Sequence, residues 1–301
     1  MKHVAVLMGG ISAEREVSLD TGAQVSKALR EAGFRVTEII VTEDLGALIN
    51  RLTPRPDVVF NALHGRFGED GTIQGVLDYM GLPYTHSGVR ASSMAMDKDA
   101  AKAVFAAAGL PVAPHKIIDI AELVDDDPMP RPYVVKPVNE GSSVGVHIVS
   151  QGTNNRSEIA KDWHFGPAMV EPYIPGRELT VGVLQDRALT VTEILPTDHF
   201  YDYHAKYAQG GSRHVLPAQI PEAVAQAAKS IAVAAHKALG CRGASRADFR
   251  YDEGNGRLIL LEVNTQPGMT ATSLLPEQAA LQGMDFPSLC AWLVEQAACR
   301  V

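Results

Sequence analysis

Cysteine is scarce in this 301-residue chain: Cys241, Cys290 and Cys299 form no C-x-x-C pair and lie near no plausible histidine partner. A reduced, cytoplasmic setting with packing or surface thiols is the simplest reading. No apolar run approaches the ~18 residues needed to span a bilayer. The alanine-rich stretch Val224–Ala238 is broken by Gln226, Lys229, Ser230, His236 and Lys237, which marks a soluble helix. The opening MKHVAVLMGG has a short apolar run without a cleavage region, so no secretory signal is expected. Blocks of Lys and Arg are missing too, and the net charge of −8 argues against nucleic acid as a partner.

Two nucleotide signatures are missing as well. The first turn, GGISAEREVS, is not G-x-G-x-x-G, and no acid is clearly placed about twenty positions on, which weighs against a nicotinamide oxidoreductase. The loop Asn139–Gly145, NEGSSVG, lies between two strands rather than before a helix, which excludes a P-loop. Its amides and hydroxyls can still cover phosphates; a plain hairpin turn is the alternative.

The composition that remains, 46% hydrophobic and 21% charged, is that of an ordinary globular protein. The length suggests two or three domains. Up to about residue 93, strands at His3–Met8, Val36–Val41, Asp57–Leu63 and near Tyr84 alternate with helices at about Ser18–Ala32, Leu45–Leu52 and Ile73–Met80. That alternation predicts a parallel, open α/β sheet, whose ligands bind at strand C-terminal ends. Two loops there carry Glu14 and Ser18, and His64, Gly65, Glu69, Asp70 and Gly71; helix capping by Ser12 or Ser18, with Glu14 as a first-turn acid, is the competing account.

Further on, a helix over Asp97–Ala108 begins with Lys98, and strands are expected at Val112–Ile118, Tyr133–Val138, Val146–Val149, Ala168–Tyr173, Glu178–Leu184 and Ala188–Leu195. Lys136 falls among apolar residues, where an anionic partner would offset its burial. Glu171 and Glu178 flank the turn at Pro175-Gly176, placed either to accept from a base amino group and a ribose or to be solvated. The loop Pro196–Pro217, with Tyr201, Tyr203, Lys206 and Tyr207, is long enough to be a functional lid. Helices follow at Pro221–Leu239 and Pro287–Ala298.

Between those helices lies the densest chemistry. Arg246, Asp248 and Arg250 recur at period two, a turn follows at Asp252–Gly256, and an apolar strand runs into Glu262 and Asn264. Folding back puts Asp248 opposite Glu262 and Asn264, a hard, all-oxygen set that suits Mg²⁺; an edge hairpin with solvated charges is the bland alternative.

Eight motifs, in order along essentially the whole chain, resemble the D-alanine–D-alanine ligase family. They are MGGISAEREVS (Met8–Ser18), LHGRFGEDG (Leu63–Gly71), MDK (Met96–Lys98), VVKPVNEGSSVG (Val134–Gly145), EPYIPGRELTVGVL (Glu171–Leu184), FYDYHAKY (Phe200–Tyr207), SRADF (Ser245–Phe249) and EVNTQPGMTATSLLP (Glu262–Pro276). The resemblance implies the ATP-grasp fold, α/β with α+β character in the nucleotide-binding part. An N-terminal Rossmann-like domain would span 1–93, a central subdomain 94–182, and a C-terminal subdomain 183–301 with a lid at 196–217 and the metal site.

The family's roles then fall on particular residues. Asp248, Glu262 and Asn264 would hold two Mg²⁺ ions, with Mn²⁺ as a substitute. Lys98 and Lys136 would contact ATP phosphates under the loop of Ser143, with Lys206 of the lid among the nucleotide contacts, and Glu171 and Glu178 the adenine and ribose. Glu14 would bind the ammonium of the first D-alanine, with Ser142 and Tyr207 linking it to the lid and His64 nearby. Arg246 and the amide of Gly268 would form the oxyanion hole, and Ser273 and Leu274 would meet the second D-alanine. The implied activity is ATP-dependent formation of D-alanyl-D-alanine through a D-alanyl phosphate, by a cytoplasmic homodimer. The alternative acceptor is D-lactate, against which Tyr207 argues. The lid departs from the pattern at His204, where an acid is more usual.

Overall fold

In the computed structural model, residues 1–196 and 212–299 are described. The lid residues Tyr201, Tyr203, His204, Lys206 and Tyr207 lie outside them.

The first unit alternates β1 (His3–Gly9), α1 (Arg15–Glu31), β2 (Arg35–Val41), α2 (Leu45–Arg51), β3 (Val58–Asn61) and α3 (Thr72–Met80). The strands pair in parallel in the order β2-β1-β3, as the alternation predicts. Every residue of β1 is buried because the sheet is covered on both faces. Val4, Val6 and Met8 pack with Val25 and Leu29 of α1, while Ala5 and Leu7 pack with Leu48, Ile73 and Leu77. The period-two alternation of strand side chains thus divides one apolar run between two cores.

After α4 (Val89–Met96) and α5 (Lys98–Ala107), the second sheet is built from β4 (Lys116–Ile118), β5 (Tyr133–Pro137), β6 (His147–Val149) and β7 (Ala168–Pro172), with α6 (Glu122–Asp125) and α7 (Arg156–Asp162) packed on it. It is antiparallel, in the order β4-β7-β5-β6. The third sheet, also antiparallel, runs β10-β9-β8-β11-β12: β8 (Arg177–Leu184), β9 (Arg187–Pro196), β10 (Ser212–Val215), β11 (Ala244–Asp252) and β12 (Arg257–Asn264). Its core is closed by α5 and by α8 (Glu222–Leu239), through Phe105, Ala228, Ala232 and Leu239. No helix of the described residues is long and apolar enough to cross a membrane.

Several elements differ from the expectation. The strand expected at Val112–Ile118 keeps only Lys116–Ile118, because Pro111 and Pro114 lack the N–H that a ladder needs. Val112 instead bridges to Leu260, and Pro111 O accepts from Leu260 N at 2.8 Å. The strand near Tyr84 is reduced to isolated bridges with Val59 and Ala298. The helices α4, α7 and α9 (Leu274–Leu281) are additional, and α10 (Phe286–Glu295) packs back on α1, through Leu289 and Leu293. The division expected at 182–183 falls inside β8, which its ladders with β9 and β11 place wholly in the third sheet.

Candidate active site

The β11–β12 hairpin forms as the spacing predicts. Asp252 closes its turn, accepting from Asn255 N at 3.3 Å and Asn255 Nδ2 at 2.8 Å. In the ladder Asp248 pairs with Glu262 and Arg246 with Asn264, and the register shifts between Asp248 and Phe249. Such a bulge re-aims side chains locally. Asp248 is buried and fully engaged. Its Oδ1 accepts from Thr180 Oγ1 at 2.6 Å and Arg246 Nε at 2.9 Å, and its Oδ2 accepts from Arg246 Nη2 at 2.8 Å and Asn264 Nδ2 at 2.9 Å. Arg246, Asp248 and Asn264 are therefore one cluster, with Glu262 beside it on the wall of a cleft.

Two carboxylates and a carboxamide fit Mg²⁺, which takes one or two protein carboxylates and completes its shell with water and phosphate oxygens. Asn264 would have to turn its carbonyl oxygen toward the ion, and the ion would share Asp248 with Arg246. The cleft lining contains no His or Cys, and the described residues contain no group of three or more His, Cys, Asp or Glu placed to hold a metal.

The cleft lies between the second and third sheets. Lys98, Lys136, Glu140, Gly141 and Ser143 line one wall, and Glu178, Asp248, Arg250 and Glu262 line the other. Val134, Val146, Tyr173, Ile174 and Leu261 supply an apolar end suited to a flat base. Glu178 pairs with Arg250 at 3.4 Å, and the Arg250 guanidinium also donates to Ile174 O at 3.1 Å.

Lys136 and Glu171 are paired, and a second lysine completes them. Lys102, one turn beyond Lys98 on α5, and Lys136 on β5 each donate to a different oxygen of Glu171 on β7. All three are buried. Burial alone would raise the Glu171 carboxyl from its ordinary 4.5, but Lys136 and Lys102 outweigh it and hold the group at about 2. Burial lowers Lys102, with Glu171 opposing it. Sequence inspection passed over Lys102, although its i+4 spacing from Lys98 and its apolar neighbours Ala101 and Phe105 are a usable signal.

Over the cleft lies the loop from Asn139. Ser142 and Ser143 have φ of 52° and 58°, a left-handed pair outside glycine. Residues held this way cluster where function needs a loop shape. The loop is tied down at both ends: Lys98 Nζ donates to Glu140 O, and Ser142 Oγ donates to Glu14 Oε1 at 2.5 Å.

Glu14 stands at the N-terminus of α1 without capping it. Ser12 Oγ accepts from Glu14 N at 3.2 Å and donates to His64 O at 2.7 Å, locking that loop to the next. His64 is buried, with Nδ1 3.0 Å from Glu69 Oε1 and Nε2 3.0 Å from Thr21 Oγ1. Burial raises the Glu69 carboxyl, with the His64 contact opposing it. Gly65 has φ of 70°, which favours glycine, and a Cβ there would come within 2.6 Å of Glu14 Oε2 and push that carboxylate aside. Ser18 is neither cap nor ligand: its Oγ donates to Ala62 O at 2.7 Å and accepts from Gly9 N at 2.9 Å, bracing β1 against the end of β3.

The exit from β12 carries Gly268, Ser273 and Leu274. Ser273 precedes α9 and its Oγ accepts from Thr270 N at 3.1 Å, while Leu274 is buried against Ile194. The structure thus brings Glu14, Ser142 and His64 to one end of the cleft and Lys98, Lys136, Ser143, Glu178, Asp248 and Glu262 along it. Lys206 and Tyr207 lie outside the described residues.

Known proteins share this arrangement of sequence and fold. A family model described as "D-ala D-ala ligase C-terminus" matches residues 104–295, and one described as "D-ala D-ala ligase N-terminus" matches 46–87. The chain is 70% identical to a D-alanine–D-alanine ligase of Acidiphilium cryptum, over all of both chains. It is 66% identical to one of Granulibacter bethesdensis, covering 100% of this chain and 99% of that one. Among solved structures, a D-alanine–D-alanine ligase from Bacillus anthracis complexed with ATP matches with a TM-score of 0.82 at 29% identity, covering 98% of this chain and 96% of that one. The VanG D-Ala:D-Ser ligase from Enterococcus faecalis matches with a TM-score of 0.80 at 29% identity, covering 98% and 99%. By sequence along its whole length and by its ATP-grasp fold, the chain belongs to the D-alanine–D-alanine ligase family.

Proposed function

We propose that the chain joins two D-alanines into D-alanyl-D-alanine, with ATP converted to ADP and phosphate, in peptidoglycan precursor synthesis. The observation that carries this is the Ser142–Glu14 hydrogen bond. It joins the loop over the cleft to an acid at the start of α1 in the N-terminal unit, so a nucleotide and an amino-acid ammonium can be held end to end.

In this reaction the carboxylate of the first D-alanine attacks the γ-phosphorus, forming an acyl phosphate and releasing ADP. The amine of the second then attacks the acyl carbon, and phosphate leaves. Glu14 takes the ammonium of the first D-alanine, with His64 beside it. Lys98 and Lys136 sit where the triphosphate would lie, and Ser143 with its neighbours covers it from water, which would otherwise hydrolyse the acyl phosphate. Glu178 suits the ribose. Glu171, to which the adenine amino group is also assigned, accepts from both Lys136 and Lys102. Arg246 and the Gly268 amide are assigned to charge on the tetrahedral centre, and Ser273 and Leu274 to the second D-alanine. Asp248, Glu262 and Asn264 would hold two Mg²⁺ ions, whose charge offsets that of the transferring phosphoryl group.

Phosphate release with ATP and Mg²⁺, comparing D-alanine with L-alanine and with D-alanine plus D-lactate, tests the reaction. D-alanine alone should stimulate release and yield the dipeptide. No stimulation, or preference for D-lactate at neutral pH, would overturn it. A homodimer in a cytoplasmic setting goes with this assignment, and light scattering checks the assembly.

A further inference from the structure

Gln266 lies in the exit loop, two residues after Asn264 and two before Gly268, and its side chain points away from the nucleotide cleft into the N-terminal unit. It is 4% exposed. Its Oε1 accepts from Asn61 Nδ2 at 2.7 Å, and its Nε2 donates to Leu63 O. Both partners sit some two hundred positions earlier, at the end of β3 and just before His64.

The contact is part of a closed amide network. Asn61, 1% exposed, also donates from Nδ2 to Gly68 O at 2.9 Å and accepts at Oδ1 from Leu63 N at 3.2 Å. Gln74 Nε2 donates to the same Gly68 O at 2.9 Å. Backbone groups fix every orientation in it. Leu63 O can only accept and Leu63 N can only donate, so turning either amide over would set like against like. Asn61 and Gln266 each use both the oxygen and the nitrogen of the amide, which holds a single geometry, whereas Gln74 Oε1 is buried without a partner. Two other ties reach the same loop: Gln24 Oε1 on α1 accepts from Ala271 N at 2.8 Å, and Met269 is buried in the core beneath α1.

The exit loop is therefore fastened to the N-terminal sheet on both sides of Gly268. Leu63 and Gly68 are also the two ends of the loop that carries His64 and Gly65. We infer that Gln266 is a positioning residue: it fixes the Gly268–Ser273 segment against the His64 loop and so sets the distance from the acyl group to the acceptor amine, a role that rests on the ligase reaction proposed above. It touches no substrate. Its effect would fall on the second half of the reaction, where a small misplacement lets water compete for the acyl phosphate.

The test compares the wild type with Gln266→Met, Asn61→Leu and the double variant, measuring phosphate released, dipeptide formed, KM for ATP and thermal stability. Methionine keeps the length and flexibility of glutamine but neither hydrogen bond, and Met269 still anchors the loop. Wild type should release one phosphate per dipeptide. Gln266→Met should release phosphate in excess and lose about tenfold in kcat/KM for the second D-alanine, since misplacement of a reacting group costs up to about a hundredfold. KM for ATP should not change, and the double variant should be no worse than the single. A stoichiometry and D-alanine dependence equal to wild type in Gln266→Met would overturn the inference while leaving the ligase activity standing. So would a parallel rise in KM for ATP, the sign of general loosening. If Gln266→Met does not fold, Asn61→Asp, which removes the same donor at nearly constant size, carries the identical measurement. A wild type that forms no dipeptide would instead refute the activity itself.

Discussion

Ser142 and Glu14, 128 residues apart in sequence, meet at 2.5 Å through a hydroxyl and a carboxylate. The bond exists only when the loop over the cleft lies against the N-terminal sheet, so it reports closure of one onto the other. Hydrogen bonds to charged groups contribute roughly 1.5–3 kcal/mol. Ser142→Ala should therefore lower kcat/KM for D-alanine by about ten- to a hundredfold at saturating ATP. Steady-state assays that show no change in D-alanine dependence would remove the bond from the mechanism.

Glu262 stands opposite Asp248 in the hairpin ladder, and both line the cleft, but Glu262 is only half-buried. Glu262→Gln keeps shape and hydrogen bonding and removes one anionic oxygen. D-alanine-dependent ATP turnover should vanish, while circular dichroism and thermal unfolding stay near wild type. Turnover retained at saturating Mg²⁺ would rule Glu262 out as a metal ligand.

Local chemistry made the hairpin legible. Period-two charges, a turn rich in Gly and Asn, and an apolar strand ending in Glu262 and Asn264 leave few ways to fold, and the ladder pairs Asp248 with Glu262. The parallel N-terminal sheet was legible for the same reason, since caps such as Gly33 and Gly81 punctuate its helices. Long-range pairing was not. Nothing near Lys102 in sequence announces Glu171, sixty-nine positions away, and nothing near Gln266 announces Asn61. Ser18 resembled a helix cap because Ser is a good one, yet its hydroxyl is claimed by Ala62 O across the sheet. Side chains whose partners come from another unit carry no local pattern to read.

Glu171 between Lys102 and Lys136 carries a stability prediction. Removing one partner of a buried ion pair costs roughly 3–5 kcal/mol, because the other charge is left uncompensated. Glu171→Gln strands two lysines and should destabilise by that order. Lys102→Met leaves Glu171 matched one-to-one with Lys136 and should cost clearly less. Denaturant midpoints rank the two; equal losses would show that Lys102 is not a partner of consequence. The Glu171 carboxyl lies at about 2 in the fold against an ordinary 4.5. As its folded value is depressed, its contribution is whole above pH 4.5 and fades as pH falls from there toward 2.

Gly176 carries a steric prediction. Its φ is 99°, and a Cβ there would lie 2.1 Å from Tyr251 O, a backbone atom within β11. A carbonyl held in a sheet cannot step aside as a side chain can. Gly176→Ala should therefore displace the turn between β7 and β8 and cost several kcal/mol, among the largest losses for a single methyl group. It should also weaken ATP binding, because Tyr173 and Ile174 of that turn line the cleft. A variant with wild-type stability would mean that the turn does not approach β11.

Acid sensitivity should begin well above the range of Glu171, because two histidines are buried neutral. Burial lowers His86 to about 3, helped by His64 and Arg242, and lowers His236 to about 4, helped by Lys237. The Nδ1 of His236 lies 2.7 Å from Ser245 Oγ, a contact that suits the uncharged ring. In the unfolded chain both titrate near 6.5, so below that pH unfolding takes up protons that the fold refuses. Stability is whole above pH 6.5 and falls as pH drops toward 4, by at most about 1.4 kcal/mol per pH unit for each ring. His3 and His147, also lowered by burial, act in the same direction, whereas Glu69, whose carboxyl burial raises, acts against it. The difference between wild type and His236→Asn isolates one ring from this sum. Unfolding free energies measured from pH 7.5 to 5 should fall less steeply in the variant, the two curves converging as the pH drops. Parallel curves would mean that His236 is protonated within the folded protein.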